Sequence, residues 1–192
     1  MIAGKLAARL GWKLWDQLLT DEIARRLDCD RRAVEEHEER MDPAYYRLLK
    51  AFMRGSFEGS LNAPRLKVVD TECVRKVIHQ IVSEVSESGN CVIVGRGSAY
   101  HLGGRRDVFN VFIYASYEEK VRRLMSIGKS ERDAKELAES VDRDRAAFIK
   151  RYFNVDWPAR HCFHLMVNSN LGDEVAMETI LHAVAGFEKQ RP

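Results

Sequence analysis

Apolar residues recur along the chain with two different periods. Between residues 70 and 89, Val74, Val77, Ile78, Ile81, Val82 and Val85 fall at helical spacing. This predicts an amphipathic helix that opens at Asp70 or Thr71 and ends at Gly89. Residues 91–94 are instead a continuous apolar run of strand length, and 108–115 and 163–167 are mostly apolar stretches, which predict strands of a buried parallel sheet. Ser116 and Glu119 form a capping box for a helix ended by Gly128. Ser130 caps a longer helix to about Tyr152, and Asp173 caps the last one. Upstream, Ile2, Leu6 and Leu10 line one face of a helix stopped by Gly11, and residues 12–16 alternate as a short strand ending in a carboxylate. Thr20 is read as the cap of the next helix, with Asp21 and Glu22 in its first turn. Residues 31–40 are dense in charge and read as a solvated helix. Asp42 and Pro43 open another helix to about Met53, and Gly55, Gly59, Asn62 and Pro64 make 54–65 a loop. Strands that alternate with helices predict an α/β fold, a three-layer parallel sheet with helices on both faces. At 192 residues one domain is expected.

Composition narrows the function. Hydrophobic residues at 45% and charged residues at 31% fit a folded core and exclude a disordered chain. Thirty-one basic against 29 acidic residues leave a net charge of +2, too balanced to hold nucleic acid by bulk charge. The arginine pairs at 25–26, 31–32, 105–106 and 122–123 suggest an RNA-binding module, but acidic neighbours dilute all except 105–106, so nucleic acid is not expected as a partner. No apolar run approaches the roughly 18 residues of a bilayer span, so no membrane association is expected. Lys5 and Arg9 interrupt what would be the apolar core of a secretory signal. The face formed by Ile2, Leu6 and Leu10 could mimic a transit peptide, and is read as an ordinary helix of the fold. Cys29, Cys73, Cys91 and Cys162 are scattered, with no Cys-x-x-Cys pair, which argues against a disulfide scaffold or zinc site. Cys162 and His164 lack a second pair of ligands, so no metal site is expected. A reducing, cytoplasmic location follows.

In an open α/β sheet, ligands sit beyond the carboxyl ends of the strands. The residues there are Asp16, Gly95-Arg96-Gly97, Ser116 and Asn168-Ser169-Asn170. Glycines on both sides of Arg96 let a ligand approach the backbone, and a guanidinium can grip phosphate through two parallel hydrogen bonds. The helix from 130 to 152 carries Arg143, Arg145, Lys150 and Arg151, with 143 and 150 on one face. It reads either as a lid closing on a polyphosphate or as a solvated helix whose bases pair with Asp142, Asp144 and the acids of 131–139.

Several sequence features occur together in a known order. They are Leu-Gly-Trp-Lys-Leu-Trp-Asp at 10–16, Val74-Arg75, Gly95-Arg96, Val-Phe-Ile-Tyr-Ala at 111–115 with Glu118 and Glu119, and Leu-Ala-Glu-x-x-Asp-Arg-Asp at 137–144. Arg75 and Arg96 are 21 residues apart. In these features the chain resembles the cytidylate kinase-like family of P-loop nucleoside monophosphate kinases, over nearly its whole length. The resemblance implies a single domain with an acceptor-side helical insert at about 30–68 and a lid at about 128–155. It implies that Arg75 and Arg96 hold the acceptor monophosphate, with Asp16 beside the acceptor nucleotide. Arg143, Arg145 and Lys150 would close over the transferring group. The implied reaction is transfer of the γ-phosphoryl of Mg-ATP to a nucleoside monophosphate, CMP first. The partners are then small-molecule nucleotides, Mg2+ arrives with ATP, and no tightly bound cofactor is expected.

The chain departs from that pattern in places. Lysine stands at 150 where the kinases proper have arginine, which keeps charge and loses bidentate geometry. Gly97 and Ala147 stand where they have aspartates that help fix the pyrimidine nucleotide, which puts CMP specificity in question. No Gly-x-x-x-x-Gly-Lys occurs, and the family's glycine-rich phosphate loop and the first strand before it are absent. The chain begins inside the helix that this loop would open. The reading is a start that lies upstream of Met1, because the rest keeps its helix caps and basic positions. The alternative is a decayed relative, a non-catalytic nucleotide-binding or regulatory pseudo-kinase.

Overall fold

In the computed structural model, described for residues 2–26 except 17, 20 and 24 and for residues 71–190, strands and helices alternate. The order is α1 (Ile2–Leu10), β1 (Lys13–Trp15), α2 (Thr71–Glu87), β2 (Cys91–Ile93), α3 (Ser98–His101), β3 (Val111–Tyr114), α4 (Tyr117–Ser126), α5 (Glu131–Phe153), β4 (Leu165–Asn168) and α6 (Asp173–Glu188). The readings of 31–65, and nearly all of the insert at about 30–68, lie outside the described residues.

The helix signals translate closely into structure. Val77, Ile78, Ile81, Val82 and Val85 of α2 are buried in one cluster with Leu19, Ile23 and Leu102. Gly11 and Gly89, just past α1 and α2, take positive φ of 66° and 69°, a conformation that costs glycine little. Ser116 Oγ accepts from the Glu119 N–H at 3.3 Å, and Ser130 Oγ accepts from the Asp133 N–H at 3.1 Å, so both caps form. Two boundaries shift. Leu18 and Leu19 are already helical, so that helix begins before Thr20. Gly172, not Asp173, is the cap of α6, and Asp173 places its charge in the first turn, where the helix dipole favours it.

The strands pair in parallel, as the apolar runs predict, but as two separate two-stranded sheets. β1 lies beside β2 with Lys13 opposite Cys91 and Trp15 opposite Ile93. β3 lies beside β4 with Val111 opposite Leu165 and Tyr114 opposite Asn168. The expected burial on both faces is not met. β2 is half-buried along its length, and Ile113 and Tyr114 are 38% and 43% exposed. The reason is that each strand has one strand neighbour among the described residues, whereas apolar runs of this kind are covered when a strand is flanked on both edges and packed on both faces.

One helix spans the two sheets. α1 touches β1 and β2, while its Ile2 and Leu6 are buried with Val167, Ala176, Met177 and Ile180 of the other half. Lys5 ties α1 to the start of α6 through Glu174 at 2.6 Å. α4 and α5 form a hairpin around Val121, Leu124, Ala134 and Ala138. Further along α5, Phe148 and Ile149 are buried and Tyr152 packs against the α2 cluster. No helix of the described residues is long and apolar enough to cross a membrane.

Candidate functional site

The parallel register of β1 and β2 brings their carboxyl ends side by side, with the Val94 N–H on the Trp15 carbonyl at 2.9 Å. Asp16 follows one strand and Gly95-Arg96-Gly97 follows the other. The chain reverses there in a tight turn closed by the Ser98 N–H on the Gly95 carbonyl at 3.0 Å. Gly95, Arg96 and Gly97 all have positive φ, at 72°, 53° and 67°. With two central residues of positive φ the turn is of the primed kind, which glycine fits and arginine does not.

The arginine side chain folds inward. It is 1% exposed, and its Nη1 lies 3.4 Å from Asp16 Oδ1 and 3.5 Å from the Val94 carbonyl. Both contacts are long against the 2.7–2.9 Å or so of a tight charge-assisted bond. Burial pushes the Arg96 guanidinium below its ordinary value, Asp16 opposes this, and the charge of Arg145 adds to the depression. Arg145 of α5 is therefore within electrostatic range of Arg96, as is the carboxylate of Asp21.

Helical geometry explains which bases of α5 reach this place. Arg145 shares a face with Phe148, Ile149 and Tyr152, three, four and seven residues on, and that face is the packed one. Arg145 is also paired with Asp142 at 3.3 Å, and Asp142 is shared with Lys120 of α4. Arg143 and Lys150 do lie on one face, but it is the opposite, exposed one. Lys150 meets Asp156 there at 2.8 Å. Arg75 sits half-buried on α2, where its charge reaches His101. Asp16 and Arg96 are thus brought together, with Arg145 in electrostatic range, while Arg143 and Lys150 lie on the exposed face.

The carboxyl ends of β3 and β4 form a second polar cluster. Ser169, 2% exposed, donates from Oγ to the Tyr114 carbonyl at 3.0 Å. Arg123 of α4 donates to Ser169 Oγ and to its carbonyl, each at 3.0 Å. Asn170 Nδ2 approaches Ser116 Oγ at 3.4 Å, and Asn168 Oδ1 accepts from the Asn170 N–H at 3.0 Å. These bonds lock the two strand ends together. Arg123 was not legible as their tie, because its only sequence signal was a basic pair on a helix.

Sequence reasoning also missed the aromatic packing beneath the Arg96 turn. His101 of α3 lies 5.4 Å from His79 and meets Phe153 edge-on at 4.9 Å. Burial, reinforced by His79 and Arg75, lowers the His101 imidazole to about 3. Among the described residues, no group of three or more His, Cys, Asp and Glu is placed to hold a metal ion. Cys91 and Cys162 are free, and burial raises both thiols above their usual value.

The model of the cytidylate kinase-like family matches residues 1–171 of the chain. No curated protein matches it. A crystal structure of an uncharacterized protein from Eubacterium ventriosum is similar in fold, with a TM-score of 0.65 at 17% identity, over 96% of this chain and 90% of that one.

Proposed function

Because the chain belongs to the cytidylate kinase-like family, we propose that it transfers the γ-phosphoryl group of Mg-ATP to a nucleoside monophosphate, with CMP as the first candidate. One observation carries the reading. Arg96, at a strand end, is buried and its Nη1 lies a long 3.4 Å from Asp16, with the charge of Arg145 also felt there. A buried guanidinium held by long contacts gains from a stronger acceptor, and a phosphate supplies one.

In this reading Arg96 holds the acceptor phosphate through parallel hydrogen bonds and Asp16 orients the guanidinium. Arg145 offsets the charge that gathers on the transferring group. Such chemistry needs positioning and charge neutralisation more than covalent work by the protein. Arg75 completes the acceptor side. Arg143 and Lys150, on the outer face of α5, take part when residues about 128–155 move as a lid. Mg2+ enters with ATP as part of the substrate. The three-layer arrangement of the P-loop kinases and a cytoplasmic location belong to the same proposal.

The rival reading is a protein that binds the monophosphate without turning it over. Calorimetric titration with CMP, UMP, AMP and GMP, followed by an ADP-release assay with Mg-ATP, separates the two. Kinase activity gives binding and ADP; a binding protein gives binding alone. Arg96→Lys is expected to weaken monophosphate binding severalfold through the lost second hydrogen bond. Failure of the unaltered protein to bind any monophosphate overturns both.

A further inference from the structure

The last residue of α5 packs onto the turn that carries Arg96. A Cβ placed on Gly97 would come within 3.0 Å of Phe153 Cε2 and Cζ, so the ring fills the space a side chain would need. His101 meets that ring edge-on at 4.9 Å and Tyr100 packs against it at 5.1 Å. The ring is therefore wedged between α3 and the turn.

The turn needs such support. Arg96 sits in the left-handed region at φ 53°, where a residue with a Cβ is strained. Strain of this kind persists only where the surroundings over-determine the conformation. Two restraints act here. Asp16 engages the guanidinium, and Phe153 presses on the backbone of the next residue. The dihedrals of 96 and 97 are set together by the single hydrogen bond that closes the turn. A ring that lifts from Gly97 frees both, and the long arginine side chain magnifies any backbone rotation.

We propose that Phe153 is a positioning residue for Arg96: seated on Gly97, it holds the left-handed turn so that the guanidinium stays aimed at Asp16 and at the anion it receives. Phe153 ends the helix that also carries Arg145, so seating of α5 and readiness of the anion site are one event. The part of this inference that concerns the anion rests on the reading of Arg96 as a ligand of the acceptor phosphate.

Two readouts test it, one of which needs no ligand. The first is the rate at which phenylglyoxal modifies Arg96, mapped by peptide mass spectrometry. The second is calorimetric titration with CMP and with inorganic phosphate. In the unaltered protein Arg96, with its side chain 1% exposed, is expected to be protected. Phe153→Leu is expected to speed its modification and to weaken CMP binding, each by about tenfold or more, with circular dichroism unchanged. Phe153→Met keeps most of the side-chain volume while removing the ring, and reports if Phe153→Leu fails to fold. It is expected to match Phe153→Leu. Equal protection of Arg96 in folded Phe153→Leu or Phe153→Met overturns the proposal. If the unaltered protein binds neither probe while these variants still expose Arg96, the positioning role stands and the nucleotide reading falls.

Discussion

Acidification from about pH 7.5 to about pH 4.5 is expected to destabilise the protein through one side chain, His101. Its imidazole is lowered to about 3 by burial first, then by His79 and Arg75 of α2, while Phe153 of α5 closes it from the other side. The unfolded chain takes up a proton at the ordinary value of 6.5 and the folded chain does not until about 3. Between those values the unfolded state binds more protons, so stability falls as pH falls. Its contribution is fully present above 6.5 and is lost progressively below it. Each pH unit in that window costs up to about 1.4 kcal/mol. The loss is on the order of 2–3 kcal/mol at about pH 4.5, a large share of the roughly 5–15 kcal/mol that holds an ordinary domain together. Glu22, lowered from 4.5 to about 2 by Arg25 and Arg26, gives up most of its contribution below about pH 4.5, as do the lowered carboxyls of Glu84, Glu119 and Glu131, so the histidine dominates above it. The assay is urea unfolding followed by circular dichroism across the interval, for the unaltered protein and for His101→Phe. The phenyl ring keeps the aromatic packing and cannot be protonated. The stability difference between the two proteins should shift with pH in favour of the phenylalanine as acid is added. A difference that stays flat from about pH 7 to about pH 4.5 refutes the reasoning.

Two further substitutions probe α5. Phe148→Ala removes the largest fully buried side chain among the described residues, 1% exposed, and should cost about 3–5 kcal/mol in urea unfolding; a loss under about 1 kcal/mol would show that the C-terminal half of α5 is not anchored by this ring. Ser130→Ala deletes the acceptor for the Asp133 N–H and should cost about 1 kcal/mol, with an unchanged melting temperature as the contrary result.

What could be read from the residues divides along physical lines. Local signals came through well. The α2 stripe, the Ser116 and Ser130 caps and the glycine stops depend on neighbours three or four residues away, and sequence holds those directly. Strand burial did not come through. Val-Phe-Ile-Tyr at 111–114 states that both faces suit an apolar environment, but its actual neighbours are set by which strands pair, and Ile113 and Tyr114 are left partly exposed. The site followed the same rule. Asp16 and Arg96 were legible as residues at strand ends, and the parallel register joined them. The seven-residue spacing of Arg143 and Lys150 showed a common face without showing which way it turns. Phe148, Ile149 and Tyr152 carried that answer, because they mark the inward face that Arg145 shares. The Phe153 ring on Gly97 is a contact across 56 residues of chain, and no periodicity reports it.

The helix shared by the two sheets bears on how the molecule opens. α1 has 9 residues, below the roughly 12–15 at which a helix is even marginal by itself in water, so it persists through its contacts. Those contacts reach both cores: β1 and β2 on one side, and Val167, Ala176 and Ile180 on the other. Each core taken alone is a natural cooperative unit for sub-global opening. With α1 seated, neither can exchange its slowest amides without disturbing a helix that the other also holds, and the two units are linked. Once Leu6 and Ile2 leave their places that link is lost, and the two halves stay joined through α5 and the contact of Tyr100 with Phe163. A segment too short to be stable alone thus sets part of how tightly the two halves open together.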